Sequence, residues 1–229
     1  MSTVPYTIRR SDRARRVRIQ VSAEGVEVVV PRRTALRDVE PFVQTKQPWI
    51  ERTLLRMRAA EADRPRPVLA DGGTVPYLGE QLGLSIRIEA GRSRSHVALR
   101  GDTLRVAVSG GGETDVRHAL ERWYRSRARE EVAIRLDAAV ARAGTAYTGL
   151  SIRAQRTRWA SCSSSGRMSF NWRLLLAPPE ILDYVVEHEV VHLEVLDHSK
   201  RFWELLESRC PRYRAHERWL RLNGHTLRL

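Results

Sequence analysis

The chain has 229 residues, which is enough for one large domain or two small ones. Its formal net charge of +13 favours an anionic partner such as nucleic acid. However, 38 of its 40 basic residues are arginine, a bias that a GC-rich genome also produces, so a merely solvated basic surface is the alternative. No run of 18 apolar residues is present, which excludes a membrane-spanning helix.

The two cysteines and the N-terminus bear on location. Cys162 and Cys210 are too few for a disulfide framework. The segment from Met1 to Arg18 has basic residues but no apolar core segment, so it does not resemble a secretory signal. We therefore expect a soluble protein of the reducing cytoplasm.

The N-terminal segment alternates apolar and polar residues. This pattern predicts a β-hairpin over residues 6–30, with its turn at residues 23–25. Six arginines between Arg9 and Arg18 form the densest basic segment and the best candidate for phosphate contacts. A charged, solvated strand edge is the plainer interpretation.

Helical periodicity follows over residues 36–62. Because proline removes a helical hydrogen bond, we expect two helices with a break at Gln47-Pro48. Trp49 is expected to lie in the core. The proline- and glycine-containing stretch 64–73 is expected to be a linker or loop.

A second β region and a long helix are predicted next. Short alternating runs between Leu84 and Val108 predict strands, and Thr114 is placed to cap a helix that Gly144 ends. The sequence thus predicts an α+β protein. We divide it into a β-rich N-terminal region with helices, residues 1–112, and a C-terminal domain with a short sheet, residues 113–229.

The C-terminal third combines a strand and a mostly apolar helix. Met168, Phe170 and Trp172 alternate with polar residues and predict a strand over residues 167–175. We expect it to be an edge strand along a cleft, able to pair with an extended peptide. The helix is predicted from Ile181 to Leu196.

His188, Glu189 and His192 lie within this helix. Residues four apart are about 40° apart around a helix axis and one turn apart along it, so both imidazoles can reach one metal ion. Glu189 is rotated by about 100° from His188, which suits a carboxylate that accepts a proton from water. Polar groups in an apolar helix are costly unless they are paired or ligating. The pattern therefore predicts a metal site.

His198 is the candidate third ligand. It cannot share one straight helix face with His192, so the chain must fold back at Leu196-Asp197; otherwise Glu194 or a later acid would have to ligate. Three neutral imidazoles leave one coordination position open, which is typical of catalytic Zn²⁺. Asp197 could orient an imidazole or cap a helix. Three further residues could face the cleft or be structural: Arg158, Asn171 and Tyr213.

Four segments carry a resemblance to a known family. They are Arg158-Trp159-Ala160-Ser161-Cys162-Ser163, Ser169-Phe170-Asn171-Trp172-Arg173-Leu174, His188-Glu189-Val190-Val191-His192 and His198-Ser199-Lys200-Arg201-Phe202-Trp203. Together they resemble the YgjP-like metallopeptidases, specifically over residues 150–222 and loosely elsewhere. The resemblance implies a compact zincin-like domain, with His188, His192 and His198 holding Zn²⁺ and Glu189 as the catalytic acid. Ala160 and Asp197 depart from the glycine and asparagine common in the family.

The sequence therefore predicts a zinc-dependent metallopeptidase. Glu189 would deprotonate a metal-activated water that hydrolyses a peptide bond. The layout is also similar to small zinc peptidases that act on DNA-bound proteins, which together with the basic surface suggests substrates associated with nucleic acid. Two alternatives remain at this point. One is a nucleoside triphosphate pyrophosphohydrolase with a UTP-like substrate at the same site, and the other is a nucleic-acid-binding protein with a structural metal.

Overall fold

The computed structural model describes residues 4–22, 25–64, 66–155 and 157–229. Within these ranges the strands are β1 (Tyr6–Ser11), β2 (Arg18–Ser22), β3 (Gly25–Pro31), β4 (Thr74–Tyr77), β5 (Glu80–Ile88), β6 (His96–Arg100), β7 (Thr103–Val108), β8 (Gly149–Arg153), β9 (Ala160–Cys162) and β10 (Arg167–Asn171). The α-helices are α1 (Val39–Asp63), α2 (Glu113–Ala143), α3 (Pro179–Val191), α4 (Lys200–Arg209) and α5 (Tyr213–Asn223). The predicted α+β class is confirmed.

The chain divides into two compact units. Unit 1 comprises residues 1–65 and 221–226, and unit 2 comprises residues 66–220 and 227–229. The first boundary falls earlier than the one that we expected after residue 112. The reason is that the second β region shares its core with α2, where Leu84, Val106 and Leu120 belong to one buried cluster.

Unit 1 is a three-stranded sheet with one helix. The strand order is β1-β3-β2, with β1 parallel and β2 antiparallel to β3. The hairpin of β2 and β3 is as predicted, whereas β1 adds a parallel strand; the two residues of the predicted turn at 23–24 lie outside the described residues. Helix α1 covers the sheet over a core of Val26, Val28, Val30, Val39, Val43 and Ile50.

Helix α1 corrects two predictions. It runs without a break through Pro48, because apolar side chains on both sides of this proline, Val43 and Ile50, are buried in one core. That packing offsets the lost backbone hydrogen bond. Trp49 is not a core residue: 43% of it is exposed.

Unit 2 contains the other two sheets. One has the order β4-β5-β7-β6, and the other has the order β8-β10-β9. Both contribute to a single buried cluster with α2 and α3, whose largest fully buried side chains include Trp172, Tyr124, Phe170 and Phe202. The N-cap of α2 is Gly112 rather than Thr114, and Gly144 ends the helix in the left-handed conformation at φ 65°, as predicted.

The position of β10 corrects a third prediction. β10 lies in the middle of its sheet, parallel to β8 and antiparallel to β9, so it is not an edge strand. It ends at Asn171, and a buried 3-10 helix, Trp172–Leu176, leads from it to α3. The edge strand beside α3 is β9. No helix in the described ranges is long and apolar enough to cross a membrane.

Candidate active site

Helix α3 carries the first part of the site. It begins at Pro179, whose fixed φ suits the first helical turn, and most of its residues are buried. The helix ends at Val191, five residues earlier than predicted. There the backbone tightens, because the N–H groups of Leu193 and Glu194 bond to carbonyls three residues back, at 3.0 Å each.

The turn after α3 brings the third histidine back to the helix. Asp197 Oδ1 accepts a hydrogen bond from the Ser199 backbone N–H at 3.2 Å, which shapes the turn. Trp203 Nε1 donates to the carbonyl of His198 at 3.1 Å and holds this residue from α4. The chain therefore folds back as the metal-site prediction required.

His188, His192 and His198 converge on one point. One ligand atom from each lies within 4.8 Å of the others. The Nε2 atoms of His188 and His198 are 3.2 Å apart. His192 Nδ1 lies 3.1 Å from the carbonyl oxygen of Val195, to which it donates in the tautomer that leaves Nε2 free for the site.

The ring of Phe202 packs against all three imidazoles. Its ring centroid lies 4.9 Å from His188, 4.5 Å from His192 and 4.7 Å from His198, and the side chain is fully buried. A ring packed against all three supports their close approach to one another. In the sequence analysis, Phe202 appeared only within a segment of the family resemblance. Its position four residues after His198 was the available signal.

Glu189 follows His188 on α3 and is 5% exposed. The backbone N–H of Cys162 in β9 favours the charged form of this carboxylate. One of its oxygens, Oε2, is buried and has no hydrogen-bond partner among the described residues. Glu189 thus lies under the influence of β9 and keeps one oxygen available for chemistry.

Burial sets the charge state of the site. It lowers the pKa of His188 to about 3, with smaller contributions from His192 and His198, and it also lowers the pKa of His192. Neutral imidazoles are the form that binds metal. Burial raises the pKa of Glu189 to about 7, opposed by the N–H of Cys162, and this value suits a group that takes up and releases a proton.

These residues fit a bound metal ion. Two Nε2 atoms that face each other across 3.2 Å repel as neutral acceptors unless a cation or a proton lies between them. Three imidazole donors with one open side match catalytic zinc better than a closed structural site. Glu189, which directly follows His188 on the same helix, adds a buried carboxylate oxygen without a hydrogen-bond partner among the described residues. The donor set therefore supports the cofactor that the sequence suggested.

The other candidates of the sequence do not belong to the histidine cluster. Asn171 caps the 3-10 helix through Arg173 N–H, and its amide donates to the carbonyls of Gln155 and Arg158. Tyr213 stacks on Trp203 with ring centroids 5.5 Å apart. The side chain of Arg158 is exposed. Glu194, the alternative ligand, accepts from Arg209 Nη2 at 2.6 Å and does not belong to the histidine cluster.

Cys162 contributes its backbone rather than its thiol. Burial and the charge of Glu189 raise the pKa of the thiol, which disfavours the nucleophilic thiolate. Sequence reasoning missed the backbone role of Cys162 and that of the Val195 carbonyl. Main-chain groups carry no residue-type signal, so only the fold could reveal them.

The metal-free protein should lose stability as pH rises, because of Glu189. Its pKa is about 7 when folded against 4.5 for the unperturbed group, so the unfolded chain ionises first over this window. Stability contributed by the protonated form is thus complete below pH 4.5 and lost as pH rises to about 7. Glu189→Gln should remove the loss and gain roughly 2–3 kcal/mol over the wild type between pH 5 and 8. Urea unfolding in chelator measures this gain.

Glu204→Gln provides the control, since Glu204 is an exposed residue of α4. Its stability difference from the wild type should stay the same at both ends of this pH range. An equally constant difference for Glu189→Gln would show that burial does not shift this carboxyl.

Three imidazoles that could hold one metal ion, and a buried carboxylate on the same helix as two of them, are typical of metal-dependent hydrolases. A family model described as YgjP-like, metallopeptidase domain, matches residues 15–223. The chain therefore belongs to the YgjP-like metallopeptidase family, which confirms the resemblance and the metallopeptidase class.

The chain is similar in part to a solved metallopeptidase structure. It is the crystal structure of the metallopeptidase zymogen of Pyrococcus abyssi abylysin, with 25% sequence identity and a TM-score of 0.36. The similarity covers 39% of this chain and 91% of that chain. Comparison with curated proteins gives no match.

Proposed function

We propose that this protein is a zinc-dependent metallopeptidase with His188, His192 and His198 as metal ligands and Glu189 as the catalytic acid and base. The observation that carries the proposal is the convergence of one ligand atom from each of three imidazoles within 4.8 Å of one another, with Glu189, whose Oε2 has no partner among the described residues, on the same helix. Zinc, when bound there, supplies a Lewis acid that polarises a carbonyl and activates water.

Glu189 performs the proton transfers. Its Oε2, which has no hydrogen-bond partner among the described residues, accepts the proton of the attacking water, and the nearby Cys162 N–H favours the charged form that does so. The same carboxyl then delivers the proton to the leaving nitrogen of the peptide. A pKa near 7 lets one group serve in both directions at neutral pH.

β9 is the strand that can hold an extended peptide. Asn171 N–H bonds to the Trp159 carbonyl and Ser163 N–H to the Arg167 carbonyl, so by alternation Ala160 and Cys162 turn their main-chain groups away from β10. The influence of the Cys162 N–H on Glu189 is consistent with this direction. The free groups of Ala160 and the Cys162 carbonyl suit main-chain pairing with a substrate beside Glu189.

Substrates associated with nucleic acid are part of the proposal, supported by the net charge of +13. We also expect a reducing cytoplasm as the location, since Cys162 and Cys210 are both free thiols. The structure offers no comparable support for nucleotide hydrolysis: the lining of the site is aromatic and imidazole, with Phe202 and Trp203 nearest to the histidines.

A paired substrate assay tests the function. The zinc-loaded protein is incubated with a library of fluorogenic peptides and, in parallel, with UTP while pyrophosphate release is measured. We expect peptide cleavage that chelator abolishes, and no pyrophosphate. Pyrophosphate release without peptide cleavage would establish the nucleotide alternative instead.

A modified substrate tests the role of β9 in the same assay. A copy of the cleaved peptide that is N-methylated beside the scissile bond cannot donate at that position, so it should be cut at least about tenfold more slowly, with the loss in KM. Equal rates for the two peptides would contradict main-chain pairing while leaving the metallopeptidase assignment intact.

A further inference from the structure

Helix α1 of unit 1 exposes an aromatic ring beside two cationic side chains. Trp49 is 43% exposed, and Arg52 and Arg56 follow it by three and seven residues. This spacing places all three on one flank of the helix, within an arc of about 60°. We define Trp49, Arg52 and Arg56 as the Trp–Arg flank.

The Trp–Arg flank has no acidic counterpart. In the described part of the chain, no carboxylate pairs with Arg52 or Arg56, whereas the ion pairs of unit 1 involve other arginines and His225. Glu51, the nearest acid in sequence, is turned about 100° from Arg52 and accepts from Gln47 at 3.0 Å. Both guanidinium groups thus remain available for an external anion.

Unit 1 carries a second set of exposed cations. Between Tyr6 and Arg18 there are six arginines and one acid, Asp12, which pairs with Arg32. Over residues 1–64 there are 14 basic side chains against 8 acidic ones. The positive field of this small unit therefore acts on any anion that approaches the Trp–Arg flank.

We infer that the Trp–Arg flank binds single-stranded nucleic acid, with a base stacked on Trp49 and phosphates bound by Arg52 and Arg56. An exposed ring offers a stacking surface that only an unpaired base can reach. Each guanidinium group can donate two parallel hydrogen bonds to the oxygens of one phosphate. A duplex would satisfy the arginines but leave the indole unused, since its bases are stacked internally. This inference deepens the nucleic-acid part of the proposed function and does not depend on hydrolysis.

Fluorescence anisotropy with a labelled 20-mer of oligodeoxythymidylate tests the inference on the full chain. Trp49→Ala should weaken binding about tenfold at fixed salt, and Trp49→Phe should restore most of it. The double variant Arg52→Ala, Arg56→Ala should bind more weakly. The negative slope of its log affinity against log salt should become shallower by about 1.4. Arg58→Ala is the matched control, because it removes the same charge from the same helix about 200° round from Arg56.

The outcomes separate this inference from its rivals. Losses confined to the Trp–Arg flank, with Arg58→Ala unchanged, support it. An unchanged Trp49→Ala, an equal loss in Arg58→Ala, or equally tight binding of a duplex or of anionic vesicles would overturn it. Binding is measured in chelator, so a protein that hydrolyses no peptide still shows whether the flank binds the oligonucleotide. Trp49→Ala should also leave peptide hydrolysis by the zinc-loaded protein unchanged.

Discussion

Replacing Glu189 with glutamine should leave zinc binding intact and lower kcat by about a hundredfold to ten-thousandfold. Glutamine has nearly the same shape, and its carbonyl oxygen can still interact with the nearby Cys162 N–H, so the site should keep its geometry. It cannot take a proton from water, which removes the step assigned to Oε2. Zinc content by elemental analysis and kcat on the best fluorogenic peptide measure the two effects separately.

Glu187→Gln is a suitable control for this result. Glu187 lies on the same helix and is 8% exposed, but its carboxylate pairs with Arg142 on a different face. Its loss should reduce stability without a comparable fall in kcat. If Glu189→Gln retained kcat within threefold, the proton-transfer role would be wrong, and if it lost its zinc, Glu189 would instead support the ligands.

The local part of the site could be predicted from the sequence. The spacing of His188 and His192 follows from helix geometry alone, and the buried apolar residues around them marked the helix. The return of His198 could be stated only as a requirement, because it depends on how the turn packs. The structure meets that requirement through bonds from Ser199 N–H and Trp203 Nε1.

Non-local features escaped the sequence for a physical reason. The pattern of Met168 and Phe170 predicted a strand, but strand order depends on partners far away in the chain, so β10 was wrongly placed at an edge. Trp49 was assigned to the core by its residue type. Its helix instead buries Val43, Ile50 and Met57, which leaves the indole on the exposed side. The residue type of Trp49 predicted burial, but its position on the exposed face of α1 leaves it in solvent.

Pro48 shows the same limit at the level of one helix. Proline propensity predicted a break, yet α1 continues through it. A single lost hydrogen bond is a small cost beside the burial of several apolar side chains along a helix of 25 residues. Propensity therefore failed where the packing of both half-helices on one sheet outweighed it.

Removing His198 should weaken zinc binding at least about a hundredfold, beyond the range expected for losing an outer-shell partner. The imidazole approaches His188 Nε2 at 3.2 Å, and no other side chain of the histidine cluster can replace it. Glu194 is held by Arg209 at 2.6 Å, so it is not free to move in. Competition with a chromophoric chelator gives the affinity, and the rise in Tm on adding zinc should shrink in parallel.

Asp197→Asn separates ligand loss from damage to the turn. Asp197 is exposed and its Oδ1 accepts from Ser199 N–H, a bond that an asparagine oxygen can also accept. This variant should bind zinc within about threefold of the wild type, because the turn that presents His198 is preserved. His198→Ala with unchanged zinc affinity would refute the third ligand. A large loss of zinc affinity in Asp197→Asn as well would show that the carboxylate charge itself supports the metal. Loss in His198→Ala together with retention in Asp197→Asn assigns the binding energy to the His198 imidazole, which the turn brings back to α3.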